Sequence, residues 1–420
     1  MANGLLEHPK QNQELEDVGM QYLNELVSRC LIQKQKNILF VLQEDFWLIF
    51  TFKMHDLVHD LTLDVSEKEC KTVNFEIETV DENVRHLLLC DEKLLEVPRV
   101  LEEMKNVRTV IIQNASERPK RSEIVDKSLI NLCVSNFKYL RALELSDSPL
   151  TALPNSIGTL KHLQDLDLAQ CKGIRELPWS FYKLCSLQAL NLERTGLEQL
   201  PDSVQRLIEL RHLVITIKAK NLKEIQAGCW TSLQYLKLFG CRELECLPEG
   251  MQYLRSLRTL VLFHCGSLVS LPRSLKFLTK LEHLDIVCCH QLNLKMEPEE
   301  EEDKDLQLSL KTLSLDNLYA LTDLPRLLLQ ESSSTLQQLR IVFCPELSVL
   351  PVWLLNLTSL HRLEIAGCAK LSALPEGIDR LTNLRDLTIE KCRQLSKRYR
   401  ENGVKIGTKL LTSKRFYMSG

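Results

Sequence analysis

Apolar residues recur along most of this chain in one short pattern, Leu-x-x-Leu-x-Leu. Its first positions fall at Leu140, Leu163, Leu187, Leu210, Leu233, Leu257, Leu281, Leu310, Leu336, Leu360 and Leu384, most of them 23 or 24 residues apart. Weaker copies start at Val84 and Val107, giving about thirteen units. The last two leucines of a copy lie two apart, so on a short strand both face one side; in the unit at Leu163, Asp165, Asp167 and Ala169 face the other. One such strand buries little apolar surface. Stacked at about 4.8 Å, the strands form a parallel sheet whose inward leucines make one continuous core, each unit depending on its neighbours. The spacing predicts an α/β solenoid with a curved parallel sheet.

A second signature follows the strands: Leu-Pro at Leu153-Pro154, Leu177-Pro178, Leu200-Pro201, Leu247-Pro248, Leu271-Pro272, Leu350-Pro351 and Leu374-Pro375. Proline has no N–H and a fixed φ, so it belongs on the return path, where turns and short helical pieces are expected. Seven units place a cysteine eight residues after the first leucine, at Cys171, Cys241, Cys265, Cys289, Cys344, Cys368 and Cys392. One thiol per unit does not assemble a tetrahedral metal site; a small, weakly polar, buried side chain in the tight turn after the strand is the reading adopted. Three stretches break the rhythm: the polar insertion from Ala115 to Glu123, the acidic run from Glu297 to Asp305, and a basic tail after Lys391. The first two are expected as solvated loops, the acidic one with a basic partner or an intramolecular contact as its alternative. The tail is expected to cover the open end of the sheet.

The first 70 residues follow other periods. Leu15, Val18, Tyr22, Leu23 and Leu26 have helical spacing, and Ile38 to Phe52, broken by Gln43-Glu44-Asp45, suits a hairpin. Met54, Leu57, Val58 and Leu61 then repeat at i, i+3, i+4 and i+7, predicting a helix with these four on its buried face and His55 near its start. Helix, hairpin and helix suggest a winged helix. Glu14, Glu16, Asp17 and Glu25 dominate the polar positions of the first helix, however, which leaves no basic face for DNA. His55 and His59 sit at i and i+4, as in zinc hydrolases, but aspartate replaces the usual glutamate and no third ligand follows at a suitable spacing. No metal site and no catalytic residue is assigned, and a metal hydrolase stays a remote third reading.

Composition narrows the partners. The net charge of −3 is small for 420 residues, so a polyanion held by global electrostatics is not expected and nucleic acid is excluded as a partner. No basic start leads into an apolar stretch, and Ile38 to Phe52 is too interrupted to cross a bilayer, so neither a signal peptide nor a membrane span is read. Fifteen cysteines without a secretory signal point to free thiols in a reducing, cytoplasmic setting.

Met54-His55-Asp56, inside Phe52-Lys-Met-His-Asp-Leu-Val-His-Asp-Leu61, resembles the MHD motif that ends the NB-ARC module of plant coiled-coil-type disease resistance proteins. Gln13 to Gly19 and Tyr22 to Arg29 are similar to that family's winged-helix subdomain, and Leu153 to Leu163 is similar to its repeats. The resemblance covers essentially the whole chain. It implies a leucine-rich-repeat solenoid, a parallel β-sheet horseshoe, preceded by a partial winged-helix subdomain. Boundaries are expected at 1–70 for the winged-helix end, 71–135 for irregular repeats and a cap, 136–396 for the repeats and 397–420 for the tail.

The resemblance also implies a switch. His55 would contact the β-phosphate of ADP in the resting state, Asp56 would support the motif's geometry, and Met54 would complete it; exchange for ATP would lead to oligomerisation and defence signalling. The alternative for His55 is a cap on its own helix. No Gly-x-x-x-x-Gly-Lys-Ser/Thr loop is present, since Gly403-Val-Lys-Ile-Gly407 has the wrong spacing. ADP or ATP is therefore expected only in a full-length receptor, with none held by this chain alone. By the same resemblance Met1 falls inside the winged-helix domain, making the chain a fragment, a truncated product or a partner acting in trans. The implied partners are a pathogen effector or guarded host protein, and a nucleotide-binding domain contacted intramolecularly or in trans. A free-standing intracellular scaffold similar to plant Ras-group leucine-rich-repeat proteins is the competing reading, one that would not need residues 1–70.

On the concave sheet, Phe239, Phe263 and Val287 from consecutive units are expected to line up, with Val261 alongside and Lys237, Arg258 and His283 at the margins. An exposed apolar stripe of this kind marks a protein-binding surface. The alternative is that curvature or a neighbouring loop buries it.

Overall fold

In the computed structural model the described residues are 15–41, 45–73, 83–89, 99–112, 123–294, 308–401 and 415–419. The insertion at Ala115 and the acidic run from Glu297 to Asp305 lie outside this set, apart from Glu123, which opens a helix.

Helix α1 (Leu15–Ser28) leads into an antiparallel hairpin, β1 (Ile32–Val41) and β2 (Asp45–Met54), paired from Ile32 with Met54 to Val41 with Asp45. Helix α2 (Asp56–Ser66) follows at once. Both strands are longer than the apolar stretch suggested, because Lys34 and Gln35 continue the pairing as polar residues.

Fifteen parallel strands then stack in sequence order. They are β3 (Cys70–Val73), β4 (His86–Leu89), β5 (Thr109–Ile112), β6 (Ala142–Glu144), β7 (Asp165–Asp167), β8 (Ala189–Leu192), β9 (His212–Ile215), β10 (Tyr235–Phe239), β11 (Thr259–Phe263), β12 (His283–Val287), β13 (Thr312–Asp316), β14 (Gln338–Val342), β15 (Arg362–Ala366), β16 (Asp386–Glu390) and β17 (Arg415–Ser419). The leucine pattern falls on β4 to β16. Two strands it does not announce, β3 and β17, extend the sheet at its ends, so the chain after Lys391 adds a strand beside β16. The C-terminal boundary at 396 falls inside a helix, Arg393–Glu401. Helices α3 (Val100–Glu103) and α4 (Glu123–Asn136) pack beside the first units, where Ile130, Cys133 and Phe137 are fully buried.

Register explains the core. Leu236, Leu260, Leu284, Leu313, Leu339, Leu363 and Leu387 are direct partners from strand to strand, and all are buried. Each buried leucine contributes about 2 kcal/mol relative to an exposed one, and each is shared by two neighbouring units. On the convex side Pro154, Pro178, Pro248, Pro272 and Pro351 are extended, with φ near the value the ring imposes, and each immediately precedes a 3-10 turn.

Two residues past the third apolar position, the backbone enters the left-handed region at Gln170, His264, Cys288, Phe343 and Lys391, and at Gly240 and Gly367. This reversal drives the following cysteine under the sheet. Its thiol then meets the carbonyl of the third apolar residue one unit earlier: Cys171 on Leu145 at 3.2 Å, Cys265 on Leu238 at 3.7 Å, Cys289 on Leu262 at 3.7 Å and Cys344 on Leu315 at 3.8 Å. The ladder thus adds a weak S–H donor to a carbonyl of the preceding unit at each turn. The neighbouring Cys344 thiol and burial push the Cys368 thiol up to about 12, so Cys368 stays a protonated, inert donor.

One expectation fails outright. Leu57, Val58 and Leu61 do share a side of α2, but Met54 ends β2 instead of joining the helix, and no residue of this helix is buried: Leu57 is 74% exposed and Leu61 62% exposed, and Val65 extends the apolar surface. The helical period holds, but of Leu57, Val58 and Leu61 only Val58 is even half-buried.

Candidate recognition surface and switch motif

Strand pairing aligns Phe239 with Phe263 and Phe263 with Val287, so the expected stripe exists as a row. Its exposure does not. Phe263 is 7% exposed, Val287 5% and Val261 4%, while Phe239 is half-buried. The Phe239 and Phe263 rings stack at 4.8 Å, the His264 ring meets Phe263 edge-on at 4.4 Å, and Cys288 closes the cluster. Above Phe239 the Lys237 ammonium lies at 4.7 Å and the Arg194 guanidinium at 4.9 Å. Side chains on a sheet stand at strand spacing, so adjacent large residues exclude water from one another. The stripe is a second small core on the concave face, with a cationic lid.

The residues placed at its margins are engaged. Lys237 pairs with Glu193 at 2.9 Å, His283 Nδ1 lies 2.7 Å from the Thr312 hydroxyl, and Arg258 lies 3.7 Å from Asp17 of α1. Farther along, Arg340 bridges Asp316 and Glu364. Asp285 stands among these groups with its carboxyl pushed above the usual range by burial, the more distant Arg340 only partly offsetting this.

The contact at Arg258 belongs to a larger one that pattern reading missed. Arg211 donates from Nε and Nη2 to the two carboxylate oxygens of Glu16, each at 2.7 Å, and His212 Nε2 lies 3.2 Å from the same carboxylate. Arg211 immediately precedes β9 and Arg258 immediately precedes β11, so both stand on the rim of the concave face. Glu16 and Asp17 occupy the first turn of α1, where a helix tolerates anions best. Burial alone would raise the Glu16 carboxyl. The hydrogen bonds from His212 and Arg211 outweigh it and hold the group far below the usual carboxylate range.

On the neighbouring strands the face is acidic. Burial, then the repulsion of Asp167 and Glu144, raises Asp165; burial and Asp167 likewise raise Glu144.

At the other motif, His55 is the N-cap of α2, its Nδ1 accepting from Leu57 N–H at 3.3 Å. This is the capping role held open from the sequence, and it has a chemical consequence. A neutral ring that accepts at Nδ1 carries its proton on Nε2, leaving that N–H to donate elsewhere. Met54 is half-buried with its sulfur 3.4 Å from the Thr62 hydroxyl, and Asp56 is exposed in the first turn. His59 lies 3.6 Å from Asp60, and among the described residues no group of three or more ligating side chains could hold a metal ion.

The comparisons agree with both halves of this architecture. Residues 126–345 match the family described as "Leucine-rich repeat region", and residues 1–62 match "Disease resistance protein Winged helix domain". The repeat match covers more than half of the chain, which therefore belongs to the leucine-rich-repeat family. With the winged-helix match ahead of the repeats, it represents part of a plant disease resistance protein of the NB-ARC leucine-rich-repeat kind. In Arabidopsis thaliana a disease resistance protein is 32% identical over 197 residues, covering 46% of this chain and 13% of that protein. Disease resistance RPP13-like protein 4 is 27% identical over 240 residues, covering 55% and 23%, and disease resistance protein RPP8 is 28% identical over 239 residues, covering 53% and 24%. The matched part is thus less than a quarter of each relative's length. A leucine-rich-repeat protein of Leptospira interrogans aligns with a TM-score of 0.42 and 24% identity, over 76% of this chain and 94% of that one. No helix among the described residues is long and apolar enough to cross a membrane.

Proposed function

We propose that this chain is the recognition end of a plant intracellular immune receptor, in which the concave face binds a pathogen effector or guarded host protein and passes that event to the winged helix. The observation that carries the reading is the clasp of Glu16 by Arg211 and His212, because it joins the winged-helix end to the rim of the face that would receive the partner. A protein seated on β9 to β12 would compete for the same cations. Binding would then be linked to release of α1, as any ligand with differential affinity for two states shifts their populations.

The exposed leucines of α2 suit a nucleotide-binding domain, supplied by the same receptor or in trans. With Nδ1 occupied by the cap, His55 would direct its Nε2–H at a phosphate oxygen of ADP, and Asp56 and Met54 would hold the turn. Bound nucleotide would supply the two-state energy of the switch. One donor without a phosphate-binding loop does not retain nucleotide, so the reading assigns this chain alone no nucleotide and no catalytic step. Defence signalling from the cytoplasm completes the reading. The scaffold alternative is disfavoured by the winged-helix match at residues 1–62.

The test uses a receptor that carries this chain. Arg211→Glu should cause cell death in leaf tissue without an effector, and adding Glu16→Arg should restore quiescence. A quiet Arg211→Glu receptor that accumulates normally would overturn the coupling.

A further inference from the structure

On the convex side, away from the sheet, three successive Leu-Pro ledges enclose a groove of about 570 Å³. Its walls include Leu153, Pro178, Trp179 and Pro201, and its polar groups include Asn155 and Glu176. Trp179 is 61% exposed, and its indole N–H has no acceptor among the described residues. The contrast is Trp230, which is buried and donates to the Val204 carbonyl at 2.9 Å. Trp179 is nevertheless positioned: it opens the 3-10 turn Trp179–Lys183, with the Lys183 ammonium 4.7 Å from its ring and Tyr182 at 6.1 Å. Glu176 is the sole charged residue lining the groove, and it makes no ion pair among the described residues.

We propose that this groove binds a proline-rich, extended segment of another protein carrying an arginine or lysine. A polyproline II strand has no internal hydrogen bonds, so its carbonyls are free to accept from the Trp179 indole and the Asn155 amide. Proline rings suit aromatic and proline walls, and a stiff ligand loses little entropy on docking. The single carboxylate, with no cation lining the groove, selects a basic residue on the ligand.

The experiment titrates fluorescently labelled decapeptides into the full chain. One peptide is proline-rich with two arginines, one replaces the arginines by glutamate, and one replaces the prolines by alanine. Saturable binding of the first is expected, weakened about tenfold by Trp179→Ala, as loss of a central aromatic contact would do. Trp179→Phe, which keeps one aromatic ring but loses the pyrrole ring with its N–H, should weaken it less, and Glu176→Gln should weaken the arginine peptide alone. Thermal unfolding of each variant should match the parent, because both side chains are exposed. Absence of saturable binding, equal affinity for the alanine peptide, or a Trp179→Ala protein that folds and binds normally would each overturn the assignment. The concave-face reading would stand in every case.

Discussion

Removing either side of the Glu16–Arg211 pair should free α1 from the solenoid without unfolding the repeats. The two hydrogen bonds are parallel and both 2.7 Å long, and the side chains retain only 21% and 17% of their exposure. Two unit charges about 4 Å apart attract by about 4 kcal/mol at a surface-like dielectric constant of about 20. Desolvation and side-chain ordering offset part of this, leaving a coupling of about 2 kcal/mol, or roughly 30-fold in the opening equilibrium. The assay is native-state hydrogen exchange at the α1 amides in the parent, Glu16→Gln, Arg211→Ala and the double variant. Each single change should speed exchange in α1 while the amides of β10 to β12 keep their protection. Because the partners touch, the double variant should lose less than the sum of the singles.

The pH dependence carries its own sign. Glu16 has a folded-state value below its ordinary one of 4.5, so its contribution is fully present above that value and is lost as pH falls toward the folded value. Protection of α1 should be flat from neutrality to about pH 5 and decline below 4.5, and Glu16→Gln should remove the decline. A coupling under about 0.5 kcal/mol, the level of an exposed surface pair, would refute the reasoning.

Phe263→Ser should destabilise the solenoid by about 3 kcal/mol, seen as a lower denaturant midpoint, because the ring is core; an unchanged midpoint would restore the exposed-stripe reading. Asp165→Asn should stabilise the fold at neutral pH. A carboxyl whose value is raised by burial and by Asp167 and Glu144 penalises the folded state once ionised, a penalty absent at low pH that grows as pH rises through the folded value; equal unfolding temperatures at pH 7 would count against this. For the chain by itself, calorimetry with ADP should show no micromolar affinity, and a clear isotherm in that range would mean that the His55 region holds phosphate without a phosphate-binding loop.

How far the sequence shows this structure depends on the distance between the residues that interact. The repeat core was legible because Leu236 meets Leu260 and Leu284, partners one period apart, so the periodicity is itself the contact map. The cysteine ladder was legible for the same reason, although its donor role appears only when Cys265 is seen beside the Leu238 carbonyl. Strands β3 and β17 were not legible, since Cys70-Lys-Thr-Val73 and Arg415-Phe-Tyr-Met-Ser419 lack the leucine triplet and pair only because a neighbouring edge is open to them. The hardest case is the clasp. Glu16 and Arg211 are 195 positions apart, and neither stands out locally, one being a first-turn acid and the other a rim cation. Their partnership is a property of the curve the repeats impose. The stripe fails for a related reason: alternation places Phe239 and Phe263 on the outer side of the strand, but only packing determines whether that side is wet. Alternation therefore identifies a side chain's face, and contact between units determines its surroundings. Residues of this family's concave surface should be assigned to recognition only after their lateral neighbours have been counted, and here that rule transfers attention from the phenylalanines to the rim cations Arg211, His212 and Arg258.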